Sequence, residues 1–374
     1  MGVGTVTIVQ VNNQQGSFAD AERVFLYIGE IGDPDLKGDV IPISAASDLD
    51  QLLGAGVSEL KTMITSARQN ARNSNFVCYA FGIDPDADDW KEALYAALEK
   101  PLDLRIEAVM LCTPVTTKAE VEAAQAAANE CLSRFAKFIS IHAAVGGILI
   151  TESWAEYLVR IGALVANVVA PRVSLVLQLH GNNLGVVAGR LCDPAASIAD
   201  TPMRVKTGAL VGLGEAPVDK NGAPLTSAHI VTLAGMRFSV PQWYTGYDGM
   251  YWADHAMLDA EGGDYQVYEN LRVMDYLSRQ VRVLAIGRIA DRSLNSTSQS
   301  ISSAETYFTR PLRAAAKTIT VGGIEQPAMI QPPADGAISI TWTNQTAVSI
   351  AITAQPYNCP KSITVYMGLD LSGE

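Results

Sequence analysis

Between residues 24 and 179, short apolar runs that alternate with period two trade places with longer stretches whose apolar residues recur at helical spacing. Strands read at 24–28, 40–43, 76–81, 106–111, 139–150 and 173–179. Helices read at 48–53, where Ser47 is placed to cap and Gly54 to stop, then at 57–72, 90–98, 118–138 and 154–166. This alternation predicts an α/β domain on a mixed or mostly parallel sheet, covered by helices on both faces. From Gly185 the pattern fails. VVAGRLCDP, IADTPMRV and GALVGLGEAP are short pieces punctuated by Gly and Pro, and Asn221–Gly222 reads as a turn.

Further helices are expected at 226–235, 265–286 and 304–317, the last two separated by the polar run SLNSTSQS. The chain then turns to β: 318–321, followed by a hairpin of 338–342 with 347–353. The expected fold is an α/β outer domain with a mixed sheet plus an α+β inner domain with a small C-terminal β-sheet. The boundaries read as an extended arm at 1–20, the α/β domain and junction at 21–264, the α+β domain at 265–360, and a second arm at 361–374.

The arms are strand-prone but cut off from the body. Val3, Thr5, Val6, Thr7, Ile8, Val9 and Val11 alternate apolar and β-branched side chains, then meet the polar stretch NNQQGS at 12–17. At the other end Ile363, Val365, Met367, Leu369 and Leu371 alternate with smaller or polar residues beyond Pro356 and Pro360. Two such termini point to strands exchanged with neighbouring copies, the way extended segments complete an exposed sheet edge.

The densest stretch, 237–254, holds Trp243, Tyr244, Tyr247, Tyr251 and Trp252 together with Gly246, Gly249 and Pro241. Large amphipathic rings on an irregular segment bury area while each OH or indole NH finds a partner, so the stretch reads as a structural aromatic latch in a junction. The competing reading is a carbohydrate-active enzyme or glycan-binding protein using residues 243–254, with Asp248 and Asp254 as its carboxylates; turn capping is the plainer role for both.

The chain's chemistry is otherwise bare. GALVGLGEAP lacks the Lys-Ser/Thr of a phosphate loop, and His142, His180, His229 and His255 show no metal-ligand spacing, so each reads as an isolated structural or surface residue. The acidic run Asp84, Asp86, Asp88 and Asp89 lacks the Gly and closing Glu of a calcium loop. No cofactor is expected and no enzyme. Five scattered cysteines without a CxxC pair fit a reducing compartment, and the N-terminus MGVGTVTIVQ carries no secretory pattern. The apolar window 158–179 is interrupted by Arg160, Pro171 and Arg172 and reads as core, with no membrane insertion. A formal charge of −12 argues against a nucleic-acid partner. Within it, residues 266–317 carry eight basic and four acidic side chains, a local +4 that leaves −16 on the remainder and suggests an acidic protein partner.

The order of elements resembles the contractile tail sheath proteins of myophages and related injection machines, over nearly the whole chain. VIPISAASDLDQLLGAG at 40–56, the helix-then-strand at 58–83, VAPRVSLVLQLHGNNLGVVAGRL at 169–191 and DKNGAPLTSAHIVTLAGMRFSVPQWYTGYDG at 219–249 carry the resemblance. The aromatic segment departs from it, since many sheaths have a Gly-Asn/Ala-Arg-Thr sequence there. The resemblance implies a virion structural protein, assembled in the bacterial host cytoplasm as stacked six-fold rings around a tail tube, with baseplate and tail terminator proteins as further partners. The two arms fall where sheath arms are shared between subunits, and the 338–353 hairpin would host them. The basic window falls where the tube is met, which makes Arg272, Arg279, Arg282 and Arg288 the tube-facing candidates.

Overall fold

The computed structural model describes residues 21–99, 104–321 and 323–369. The residues Val3 to Val11 and Leu371, named above for the arms, lie outside the described residues. In chain order the first part comprises β1 (Phe25–Glu30), β2 (Val40–Ser44), α1 (Leu49–Leu53), α2 (Glu59–Ala71), β3 (Val77–Ile83), α3 (Trp90–Glu99), β4 (Ala108–Val115), α4 (Lys118–Phe135), β5 (Ser140–Gly146), α5 (Trp154–Val165), β6 (Val173–Gln178), α6 (Asn183–Cys192), α7 (Ser227–Gly235) and β7 (Phe238–Ser239). Seven strands form one sheet in the order β2-β3-β1-β4-β5-β6-β7. All neighbours are parallel except the edge pair β2–β3, so the sheet is mixed.

Period-two alternation decides which face each strand residue serves. Leu26 and Ile28 of β1 and Val109 and Leu111 of β4 pack under α3, α4, α5 and α7. Phe25 and Tyr27, with Ala108, Met110 and Cys112, pack under α1, α2 and α6 on the other face. Local signals set the helix starts. Thr117 with Glu120 and Ser153 with Glu156 form reciprocal capping boxes on α4 and α5. At α1 the cap is Asp48, whose carboxylate accepts from the Asp50 and Gln51 amides; Ser47 lies one residue early and its hydroxyl accepts from the Ser44 amide instead. Gly54, at φ 91°, ends that helix.

The failure of alternation after Gly185 is partly corrected by α6. Gly185 and Gly189 are interfacial: a Cβ at Gly185 would sit 2.2 Å from the Met63 carbonyl oxygen, and one at Gly189 2.3 Å from that of Ala67. The two glycines let α6 lie directly on the backbone of α2, a use of small residues that a sequence scan reads as chain breaking.

The rest of the chain comprises β8 (Pro241–Tyr244), β9 (Tyr247–Trp252), α8 (Tyr268–Ile286), α9 (Ser298–Ala315), β10 (Ile319–Val321), β11 (Ile324–Gln326), β12 (Ile338–Trp342) and β13 (Val348–Ile352). The aromatic stretch, expected to be irregular, is a β8–β9 hairpin turning at Gly246. Pro241 is tolerated because it opens its strand. Helix α9 begins at Ser298, six residues before the expected start, because the Thr297 hydroxyl accepts from the Ser300 amide and the polar run supplies an exposed first turn. The hairpin β12–β13 pairs Ile338 with Ile352 through Trp342 with Val348, and a short β10–β11 hairpin precedes it.

Candidate assembly site

Four charged side chains of α8 lie three or four residues apart and each meets a partner from another part of the chain. Glu269 receives Lys361 at 2.7 Å. Arg272 grips Glu107, with Nη2 to Oε2 at 2.9 Å and a second bond from Nε to Oε1. Asp275 accepts two bonds from Arg172 at 2.8 and 2.9 Å, and Arg279 donates to Glu22 at 2.7 Å and to the Phe138 carbonyl at 3.0 Å. Glu22, Glu107, Phe138 and Arg172 all lie just ahead of parallel strands β1, β4, β5 and β6. Helix α8 therefore crosses the amino-terminal end of the sheet and is clamped to four adjacent strands.

The central pair is the most buried. Arg272 and Glu107 are each 3% exposed. Burial pushes the Glu107 carboxyl up, but the Arg272 charge and its hydrogen bonds outweigh that and hold it below the usual range. Glu107 also accepts from the Tyr268 hydroxyl at 2.8 Å and the Arg23 amide at 2.6 Å, so all its hydrogen-bonding capacity is met inside the protein.

From Tyr268 a chain of polar groups runs into the sheet. Tyr268 is hydrogen-bonded to Ser140, whose hydroxyl lies 3.0 Å from His142 Nε2; His142 Nδ1 is 2.8 Å from His255 Nε2, and His255 Nδ1 is 2.5 Å from the Ser239 hydroxyl. The Trp252 indole NH donates to Ser239 at 2.8 Å. Because the Tyr268 proton goes to Glu107, Ser140 donates to Tyr268 and one assignment satisfies the run: Trp252 to Ser239, Ser239 to His255, His255 to His142, His142 to Ser140. Both imidazoles are then neutral, in accord with burial and the nearby Arg272 charge lowering His142 to about 3 and with burial, His142 and Arg272 driving His255 well below its ordinary value. His142 and His255 are thus a stacked buried pair, not isolated residues.

Of the aromatic latch residues, Trp252 and Tyr251 are buried, Trp243 is half-buried, and Tyr244 and Tyr247 are exposed near the hairpin tip. Asp248 is exposed, and the Asp254 carboxylate is taken by Lys361 at 2.8 and 2.7 Å. Beyond Lys361 the chain leaves the body: Ile363, Val365, Met367 and Leu369 are 73–95% exposed and residues 362–369 pair with no strand. Among the described residues no group of His, Cys, Asp and Glu could hold a metal, and no helix is long and apolar enough to cross a membrane.

Comparison with known proteins matches this architecture from end to end. The family described as DUF2586, N-terminal domain covers residues 3–256, and DUF2586, C-terminal domain covers 264–372. A protein of Haemophilus phage HP1 (strain HP1c1), named "Putative tail sheath protein", is 40% identical over 383 residues, spanning 99% of both chains. The chain belongs to the tail sheath family. Solved structures carry the same fold at low identity. A chain of the contracted helical sheath of the anti-feeding prophage gives a TM-score of 0.60 at 15% identity, covering 99% of this chain and 100% of that one. The sheath tail protein of Listeria innocua gives 0.58 at 8%, covering 91% and 94%. Membership brings a structural role, as a tail sheath component.

Within the sheath fold the four arginine candidates separate. Arg272 is interior and spent on Glu107, which corrects its reading as tube-facing; the apolar positions around it on α8 pack on the sheet and carry it inside. Arg279 is half-buried and engaged by Glu22. Arg288 is bonded to Asp291 at 2.7 Å and stacks on Tyr307, whose ring also receives Arg310. Arg282 is exposed. Sequence reading missed Glu107, Arg172, Asp275 and Lys361. One signal was available: Glu107 is a lone charge inside the apolar run 106–111, a position that requires a buried partner.

Proposed function

We propose that the chain is a sheath subunit that polymerises as stacked six-fold rings around a tail tube by exchanging terminal strands. In this reading, contraction is a rigid-body rearrangement of subunits that drives the tube through the host envelope. The observation that carries it is the C-terminal segment. Four large apolar residues at alternate positions, Ile363, Val365, Met367 and Leu369, stand in water, where soluble chains rarely leave a strand-length apolar row. Covering them on a neighbour would contribute on the order of 6–12 kcal/mol before the ordering cost. The β12–β13 hairpin of an adjacent copy is the proposed host, since two strands alone are marginal and both its edges invite a further strand. Residues 3–11 are the proposed second donated arm. Such tethers keep copies attached while other contacts slide.

The tube-facing surface is best sought among the exposed basic residues Arg282, Arg292, Arg310, Arg313 and Lys317, which form no ion pair among the described residues. A baseplate chain of the anti-feeding prophage, from a 6-fold symmetrised structure, shares the fold at TM-score 0.61 and 12% identity, over 99% of this chain and 100% of that one. It supports six-fold rings and baseplate contact as a reading. Negative-stain electron microscopy of the purified full chain over a range of concentrations tests it. Striated hollow tubes are expected from the full chain and none from chains lacking residues 1–11 or 362–374. Ordered tubes from either truncation would refute exchange of that arm, and a full chain that stays monomeric throughout would count against self-polymerisation.

A further inference from the structure

Lys361 is where the C-terminal arm leaves the body. Its ammonium lies 2.8 and 2.7 Å from the two Asp254 oxygens and 2.7 Å from Glu269 Oε1. An ammonium has three donors, and here three carboxylate oxygens receive them. Before this point the chain is held by the apolar packing of Ile352 and Ala354 against Val273 and Leu277 and by main-chain ties, the Gln331 amide to the Gln355 carbonyl at 2.8 Å and the Ile330–Pro356 bridge, with no ion pair among the described residues. Among the described residues none after Lys361 makes a hydrogen bond or ion pair to another.

The two acids belong to the most firmly built parts of the molecule. Glu269 is 5% exposed and sits one turn before Arg272, which holds Glu107 ahead of β4. Asp254 adjoins His255, which is bonded to His142 on β5. The alternative attachment of the arm, back through residues 353–360 to β13, ends in a two-stranded hairpin. We propose that Lys361 is a positioning residue, an ionic anchor that fixes the root of the arm to the α/β body. Tension on an exchanged arm then enters the central strands through Glu269 and Asp254 and bypasses β12–β13. The inference rests on the arm-exchange reading for its role in assembly, while the anchor itself is a property of the single chain.

Chymotrypsin separates the two in the full-length protein. Tyr366 is 92% exposed beyond the anchor and Tyr357 is 52% exposed before it. Cleavage after Tyr366 is expected to be fast in every variant. Cleavage after Tyr357 is expected to quicken by about tenfold or more in Lys361→Met, because proteolysis follows the population of the locally opened segment. Lys361→Arg should restore protection. The double variant K361M/E269M, which leaves no unpaired acid at position 269, should remain as cleavable as Lys361→Met and shows that the effect is arm release. In the tube assay, Lys361→Met should raise the concentration needed for tubes by about tenfold, with recovery in Lys361→Arg. Unchanged Tyr357 cleavage in both Lys361→Met and the double variant would overturn the anchor. Tubes from the chain lacking 362–374 would overturn arm exchange, leaving the cleavage result to stand by itself.

Discussion

Replacing Arg272 by Met separates a buried keystone from a surface contact. The substitution keeps most of the aliphatic length but removes the charge that faces Glu107. Two of the four hydrogen bonds to that carboxylate disappear, leaving the Tyr268 hydroxyl and the Arg23 amide, in a site where both partners are 3% exposed. Breaking a buried pair by removing one partner costs about 3–5 kcal/mol. An unfolding entropy of about 2.1 cal/mol/K per residue gives roughly 0.8 kcal/mol/K for a chain of this length, so the melting temperature should fall by about 4–6 °C. Urea unfolding and thermal melting by circular dichroism measure it. Arg282→Met, at an exposed position of the same helix, is the control and should stay within about 0.5 kcal/mol. Replacing the pair together, as E107L/R272M, should recover part of the loss because neither charge is then left without its partner, while the Arg23 amide and the Tyr268 hydroxyl lose their acceptor. If Arg272→Met is as stable as Arg282→Met, the clamp across the strand ends is not a stabilising feature and the reasoning fails.

Gly185→Val should destabilise by about 1–3 kcal/mol or prevent folding, since its side chain would meet the rigid backbone of α2; wild-type stability in denaturant would contradict the contact. Acid should weaken the chain through the histidine pair. His142, at about 3 when folded against an ordinary 6.5, contributes fully above pH 6.5 and loses its contribution as pH falls toward 3, about 3 kcal/mol by pH 4.5. NMR of histidine-labelled protein should find neither His142 nor His255 protonating between pH 7.5 and 5; a midpoint near 6.5 for either would remove the basis for the loss.

The sequence by itself determined the layered α/β body. Strand faces such as Leu26 and Ile28 against Phe25 and Tyr27 are encoded by alternation, and Thr117 with Glu120 marks a helix start without outside help. These signals are local: they depend on residues within a few positions of one another, so a linear reading captures them. The family resemblance was visible for the same reason, carried by runs of strand, cap, helix and glycine in order. What only the tertiary structure decided is which charges are spent inside. Arg272 and Arg282 look alike in sequence, but one is interior and the other exposed, because their places on α8 turn one toward Glu107 and the other to water. Gly185 and Gly189 read as breakers until α2 is laid across them, and Lys361 reads as an ordinary lysine until Asp254 and Glu269 are brought to it across 107 and 92 positions of chain. Partners so far apart leave no periodic trace, and only the path of the folded backbone brings them within reach.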